Sequence, residues 1–463
     1  MSTLSVFDAA REAPERVALL DGTTALSFRE AAVRTAPLAA ALLAARPPAL
    51  ALTPRADIDS VLWLYAALAT GTPVLTLHAR ATPPERRDAV ARAGACAAPV
   101  PSAAPFDTAQ LPRVADASPL AFIPTSGSTG TPRLVELSRA AMLASAHASA
   151  QNLGWEATDR WLLCLPLAHT GGLSIVTRCL LGRQSVLLFE PGPAGVLARI
   201  DELGRVAANA TLISLVPSVL SALLDAGFQP PARLRAVLVG GAGCSPALAQ
   251  RAYAARVPLL TSYGLTETAS QVVTRRYAER FEPLASRQGV VSSGHPLPGV
   301  ELRVAAGALG IRTPTLFSGY LGEGRGNVDA DGFLLTSDLA ELGADGELYV
   351  RGRLDDVIIS GGENVDPLEV EAALCALPGV KAACVFGTAS PAFGQVVTAV
   401  LVASDPGLAE PAQLTELLAN RLARHKLPRR VLVVESLPLT SSGKVDRRTA
   451  RAQFDAAWSP ERS

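Results

Sequence analysis

The chain has 463 residues, 49% of them apolar, with 42 basic and 42 acidic side chains and a formal net charge of zero. That length can bury more than one core. The even balance of charge gives no support for nucleic-acid binding or a polybasic membrane patch.

Six cysteines stand apart at 96, 164, 179, 244, 375 and 384, with no C-x-x-C pair. Neither a zinc framework nor a disulfide framework is therefore expected. Free thiols fit a reducing cytosol. The opening residues carry acids and no apolar signal core. The apolar run 61–75 is broken by Gly71 and Pro73 and falls short of a membrane span. The expected location is cytoplasmic, with no membrane span.

Residues 120–123 predict a strand, and Ser138 is a predicted N-cap for the helix after it. Between them runs Pro-Thr-Ser-Gly-Ser-Thr-Gly-Thr-Pro-Arg-Leu-Val-Glu-Leu-Ser, at 124–138. Gly127 and Gly130 allow tight turns that bring backbone N–H groups to an anion. Thr125, Ser126, Ser128, Thr129 and Thr131 add hydroxyls, and Arg133 adds charge. The loop suits a polyphosphate but lacks Walker A spacing.

Strand patterns at 161–165, 185–189, 211–216, 235–239 and 258–262 alternate with helix patterns at 172–181, 194–207, 218–225 and 246–255. That alternation predicts parallel βαβ units. Ligands of such sheets sit beyond the carboxyl ends of the strands. The 124–138 loop, Gly240 to Gly243 with Ala242 between, and Tyr263-Gly264 all follow predicted strands and should converge on one mouth. Beyond about residue 354 the pattern changes. A strand is predicted at 348–350, then a helix at 366–376, strands at 382–386 and 396–402, a helix at 411–421 and a strand at 430–434. The predicted fold class is α/β: a large N-terminal multi-sheet α/β domain, 1–353, and a small mobile α+β C-terminal domain, 354–463.

Four more texts follow the loop: Ser-Tyr-Gly-Leu-Thr-Glu-Thr at 262–268, Thr-Ser-Asp at 336–338, Gly-Arg-Leu-Asp-Asp-Val-Ile-Ile-Ser-Gly-Gly-Glu-Asn at 352–364, and Leu-Thr-Ser-Ser-Gly-Lys-Val at 439–445. Taken singly, each has an ordinary reading as a linker, a strand-end turn or a solvated loop. Taken together and in order, they resemble the adenylate-forming superfamily, which includes acyl-CoA ligases, peptide-synthetase adenylation domains and luciferases.

That resemblance implies ATP, magnesium and coenzyme A as reactants and cofactor, with a carboxylate attacking the α-phosphate. Such chemistry is mostly charge neutralisation and positioning. It implies phosphate binding by Thr125 to Gly130 with Arg133, where the superfamily usually has lysine; a planar fork there replaces a point charge. It implies Glu267 as magnesium ligand, a hard oxygen donor for a hard cation, and Thr266 as donor to the α-phosphate. Tyr263 would offer adenine a flat face, with Gly241, Ala242 and Gly264 in the cofactor site, and Gly240, Gly241, Gly243 and Ser262 would leave room for a flat acyl group. Asp338 would accept the ribose hydroxyls and Arg353 would contact the ribose or phosphate, with Ser337 where glycine is usual. Lys444 would neutralise the transition state. Asp355 would be the hinge, and Gly361 and Gly362 would pass the pantetheine arm.

His169, in Leu-Pro-Leu-Ala-His-Thr-Gly-Gly-Leu-Ser at 165–174, follows a strand and could hydrogen-bond the substrate carboxyl or pack against an aromatic ring. The texts at 165–175 and 266–273 resemble the 2-succinylbenzoate–CoA ligase group of menaquinone synthesis. Arg178, Arg183, Arg275 and Arg276 are then candidates for a second carboxylate. The expected activity is that of an acid–thiol ligase acting on a small aromatic acid. A benzoate- or anthranilate-type ligase, a stand-alone adenylation enzyme loading a carrier protein, and a non-catalytic nucleotide- or acyl-binding protein stay open, as does a homodimer.

Overall fold

The computed structural model describes residues 3–22, 24–102, 106–125, 133–192, 195–440 and 444–458. Its architecture is mixed α/β, with a large multi-sheet N-terminal part and a smaller C-terminal part.

Two mainly parallel sheets build the larger part. The nine-stranded sheet runs, in spatial order, His295–Pro296, Ser270–Thr274, Leu259–Leu265, Ala236–Val239, Leu212–Leu215, Arg160–Leu163, Ser185–Leu188, Val17–Asp21 and Thr24–Ser27. The six strands from Leu259–Leu265 to Val17–Asp21 are parallel. Their near-continuous Val and Leu runs suit strands covered on both faces. The chain goes from Arg160–Leu163 to Ser185–Leu188 on one side, then crosses to Leu212–Leu215 on the other. The point beside Arg160–Leu163 is thus a topological switch, where a crevice opens beyond the strand ends.

The six-stranded sheet contains Ala49–Leu52, Val74–Thr76, Pro119–Thr125 and Arg133–Ser138. One continuous core joins both sheets through the helices Phe28–Ala45, Ile58–Thr70, Arg139–Leu153 and Thr170–Gly182. Eleven of the thirteen residues of Thr170–Gly182 are buried, as expected for a helix packed on all sides.

Two elements differ from the sequence reading. The text at 124–138 is not a strand-to-helix loop. Leu134, Val135 and Leu137 are buried in a strand, Arg133–Ser138, antiparallel to Pro119–Thr125. Pro119–Thr125 and Arg133–Ser138 are therefore neighbouring arms of one antiparallel pair, and Ser138 caps the next helix by accepting from the Ala141 N–H at 3.1 Å. The helix expected at 194–207 begins α-helical only at Ile200–Ala207, after a 3-10 turn, Val196–Arg199.

The four-stranded antiparallel sheet Glu301–Ala305, Ala308–Arg312, Leu334–Leu342, Leu348–Arg353 ends at Arg353. A 3-10 turn, Leu354–Asp356, leads to the five-stranded sheet of Ile358–Ser360, Glu363–Val365, Val380–Ser390, Gly394–Ala403 and Arg430–Val433. Helices Pro367–Cys375 and Pro411–Leu418 cover one face of that sheet, and Arg447–Ala457 covers the other. Both cores of this unit draw only on residues from 358 onward. No helix among the described residues is long and apolar enough to cross a membrane.

Candidate active site

Side chains from two sheets meet here: Tyr263 of the nine-stranded sheet, and Asp338 and Arg353 of the four-stranded one. Tyr263, at the end of Leu259–Leu265, donates its hydroxyl to Asp338 Oδ2 at 2.5 Å. Burial, with Asp338 beside it, raises the Tyr263 phenol well above its ordinary value, so it stays a donor. Asp338 faces Arg353 across the antiparallel pair, and their side chains approach to 3.6 Å. The Asp338 backbone N–H is held by Thr336 Oγ1 at 3.1 Å, which fixes the carboxylate's turn.

Between Tyr263 and Glu267 the backbone is tightly constrained. A Cβ on Gly264 would lie 1.7 Å from the Ser270 carbonyl oxygen, which no other residue could accommodate. Ala269 and Ser270 have φ of 49° and 88°, in the left-handed region that such residues rarely occupy. This strained turn presents Thr266 and Glu267 in the 3-10 segment Thr266–Thr268.

Glu267 accepts from the Tyr320 hydroxyl at 2.9 Å. Arg133 lies over the Tyr320 ring, its Cζ 3.2 Å from the centroid, and its Nε donates to Glu323 at 3.1 Å. Tyr320 and Glu323 were not visible as site residues in the sequence. They sit in a segment without a motif, although an aromatic near the antiparallel edge strand Gly319–Tyr320 was the available signal. Ser126, Gly127, Ser128, Thr129 and Gly130 lie outside the described residues. Thr125 and Arg133, on either side of them, are paired in register.

Lys444 reaches in from the smaller unit. Its Cε lies 3.2 Å and its Nζ 3.8 Å from where a Gly241 Cβ would stand. The residue is solvent-accessible overall, yet protein crowding around its ammonium pushes its pKa down; Asp338 opposes this and Arg353 adds to it. The neighbouring backbone is pinned by the Thr440 N–H donating to the Lys444 carbonyl at 2.7 Å.

His169 is the N-cap residue of Thr170–Gly182 and stacks on His78, with ring centroids 5.3 Å apart. Burial, then His78 and Lys444, push its pKa down to about 4, so it is neutral at ordinary pH.

The four candidate arginines separate clearly. Arg183 donates to the Thr3 carbonyl and to Glu12, Arg275 donates to the Glu282 and Pro283 carbonyls, and exposed Arg276 pairs with Glu279. Arg178 is different. It is 3% exposed, its Nε has no partner, and its only hydrogen bond among the described residues goes to Ser145 Oγ at 3.4 Å. Ser145 in turn donates to the Ala269 carbonyl at 2.8 Å, behind the strained turn. Burial pushes the Arg178 pKa down to about 10.

Asp355 is exposed in the turn Leu354–Asp356. Gly361 and Gly362, with φ of 61° and 88°, make the two-residue connection of the hairpin Ile358–Ser360 / Glu363–Val365. Two successive positive φ values define the turn that favours glycine there. Neither residue touches the cluster around Asp338.

Comparison with known proteins identifies the family to which this fold belongs. Residues 97–321 match the AMP-binding enzyme family, and residues 369–444 match the AMP-binding enzyme C-terminal domain. The chain is 33% identical over 478 residues to a 2-succinylbenzoate–CoA ligase of Bacillus velezensis, covering 95% of each. Solved structures of the o-succinylbenzoate CoA synthetase of Bacillus subtilis are similar. Its acyl-adenylate complex has a TM-score of 0.82 at 27% identity, covering 97% of both chains. Its complex with ATP and magnesium has a TM-score of 0.81 at 26% identity, covering 97% of this chain and 99% of that one. A double mutant of the same enzyme, bound to a product analogue, scores 0.67 at 27% identity, covering 98% of both. The chain belongs to the AMP-binding enzyme family and is an AMP-forming acyl-CoA ligase, an acid–thiol ligase.

Proposed function

We propose that this enzyme converts 2-succinylbenzoate, ATP and CoA into 2-succinylbenzoyl-CoA, AMP and pyrophosphate, in two half-reactions. The observation that carries the substrate is Arg178: a buried guanidinium with no carboxylate among the described residues. A buried charge without a partner is costly. It persists where an anionic ligand completes it. The helix Thr170–Gly182 carries His169 at its N-cap and Arg178 nine residues, about two and a half turns, further on.

In the first half-reaction the acid's carboxylate attacks the α-phosphorus of ATP and pyrophosphate leaves. Lys444 would place its charge beside the forming acyl phosphate, and Thr266 would donate to the same phosphate. Arg133 and Thr125 to Gly130 would take the leaving phosphates. Tyr263, Gly264, Gly241 and Ala242 would frame adenine, and Asp338 with Arg353 would hold the ribose hydroxyls. Neutral His169 would orient the attacking carboxylate.

Magnesium fits Glu267: the carboxylate is an oxygen donor, fixed by Tyr320, with no basic side chain in salt-bridge range among the described residues. When bound, it supplies charge neutralisation between phosphate oxygens.

In the second half-reaction residues 354–463 would turn about Asp355. Lys444 would leave, and the Gly361-Gly362 hairpin would meet the thiol arm. Free cysteines and the cytosolic supply of ATP and CoA favour a cytoplasmic setting.

The test is kcat/KM for 2-succinylbenzoate, benzoate and 2-aminobenzoate at saturating ATP, with CoA or a carrier protein as acceptor. The diacid with CoA should lead. Equal or better use of a monoacid, or transfer only to a carrier, would overturn the assignment.

A further inference from the structure

A cavity of about 440 Å³ lies away from the active site. Its walls include Asn152, Thr274, Arg276, His295 and Asp345. Thr274 is the far end of the strand Ser270–Thr274, roughly 14 Å along it from the strained turn. The active-site chemistry described above uses none of these groups.

Two features make this more than a water-filled hollow. His295 is 9% exposed, yet neither of its ring nitrogens has a hydrogen-bond partner among the described residues. Buried imidazole nitrogens are normally satisfied. Ligating atoms of His295, Asp345 and Glu347 also lie within 4.8 Å of one another.

The two carboxylates are held in place. Asp345 Oδ1 accepts from the Glu347 N–H at 3.2 Å, and Glu347 Oε2 accepts from the Tyr349 hydroxyl at 2.7 Å. Arg276, the cation in the wall, is turned to Glu279 at 3.1 Å.

We propose that His295, Asp345 and Glu347 form a binding site for a divalent transition-metal ion of the zinc class, separate from the nucleotide's magnesium. One imidazole and two carboxylates match such an ion in donor type, with Arg275 in electrostatic reach of Glu347 and Arg287 of Asp345. The cavity leaves room for a water ligand. Hard magnesium disfavours imidazole and would not compete well.

The consequence is mechanical. His295 sits on the edge strand His295–Pro296, paired with Ser270–Thr274. Asp345 and Glu347 sit at the turn joining Leu334–Leu342 to Leu348–Arg353. Those two strands carry Asp338 and Arg353. Ligation would therefore tie the ribose-binding hairpin to the sheet that presents Glu267. An ion that binds only the folded state raises Tm with its concentration.

The experiment uses the full chain, stripped with a chelator and kept in excess magnesium without ATP. Zinc is titrated with Tm as readout, and cobalt with its visible absorption. The expected result is saturable binding of one ion per chain, a rise in Tm and a cobalt band in the wild type. His295→Ala and Glu347→Gln should each weaken binding by about tenfold or more, since even outer-shell changes cost about 10–100-fold. Adenylation should persist in both. If His295→Ala fails to fold, the partly exposed Glu347→Gln decides. Absence of binding in the wild type, or equal binding in the wild type and Glu347→Gln, overturns the proposal.

Discussion

Tyr320 donates its hydroxyl to Glu267 while its ring lies beneath the Arg133 guanidinium. A single side chain thus links the carboxylate suited to magnesium with the guanidinium of Arg133. Burial, with Glu267 next to it, raises the Tyr320 phenol to about 12, so it remains a donor across the working range.

Tyr320→Phe keeps the ring for Arg133 and removes only the donor. A hydrogen bond to a charged group contributes roughly 1.5–3 kcal/mol. The expected outcome is a rise of about tenfold or more in KM for ATP, a shifted magnesium dependence and a near-unchanged Tm. Steady-state kinetics over a magnesium series checks it. Identical magnesium and ATP curves would reduce Tyr320 to a packing residue.

Lys444→Ala should abolish acyl-adenylate formation and spare thioester formation from supplied acyl-adenylate. In this structure the ammonium stands beside Gly241, within the electrostatic reach of Asp338 and His169. The role proposed for it needs that charge while pyrophosphate leaves and not afterwards. Pyrophosphate release and CoA-dependent consumption of the adenylate are measured separately. Parallel loss of both would point to a folding defect instead.

The parallel core was legible because its strands are Val- and Leu-rich runs of four or five residues between helix patterns. Leu212–Leu215 and Ala236–Val239 are of this kind. The hairpin strand Arg133–Ser138 was hidden because its residues follow a glycine- and serine-rich text that reads as loop, and only tertiary pairing makes it a strand. Glu267, Asp338 and Lys444 lie in texts that resemble the superfamily's and could be named as candidates in advance. Tyr320 could not, since its role depends on a ring position and on a partner 53 residues away. Arg178 could be named but not told apart from Arg183, because burial and existing partners are three-dimensional facts.

His169 predicts a pH effect on stability. The folded ring titrates at about 4 and the unfolded ring at 6.5. Between these values the unfolded chain binds more protons, so stability falls as pH drops through that window and is fully present above 6.5. The loss by pH 4 is on the order of 3 kcal/mol. Urea unfolding of wild type and His169→Asn at pH 7 and pH 5 should show a flatter pH dependence in the variant. His78, also held below its ordinary value by burial, Arg80 and Arg86, is common to both proteins. Equal slopes would mean that the ring is solvated in solution.

Arg178→Met predicts a separation of stability from specificity. Methionine has the length to fill the space, and replacing a buried, unpaired charge with an apolar side chain is often neutral or stabilising. Tm should therefore hold or rise. If Arg178 completes the second carboxylate of the substrate, the variant loses a charge-assisted hydrogen bond worth roughly 1.5–3 kcal/mol. That is about one to two orders of magnitude in kcat/KM for 2-succinylbenzoate. Benzoate, which never used the contact, should be almost unaffected, and KM for ATP should not move. A purely structural Arg178 gives a different signature, with the diacid and monoacid falling together and Tm dropping. Substrate kinetics and a melting curve on the same preparation tell these apart, and a preserved preference for the diacid would place the second carboxylate against some other group.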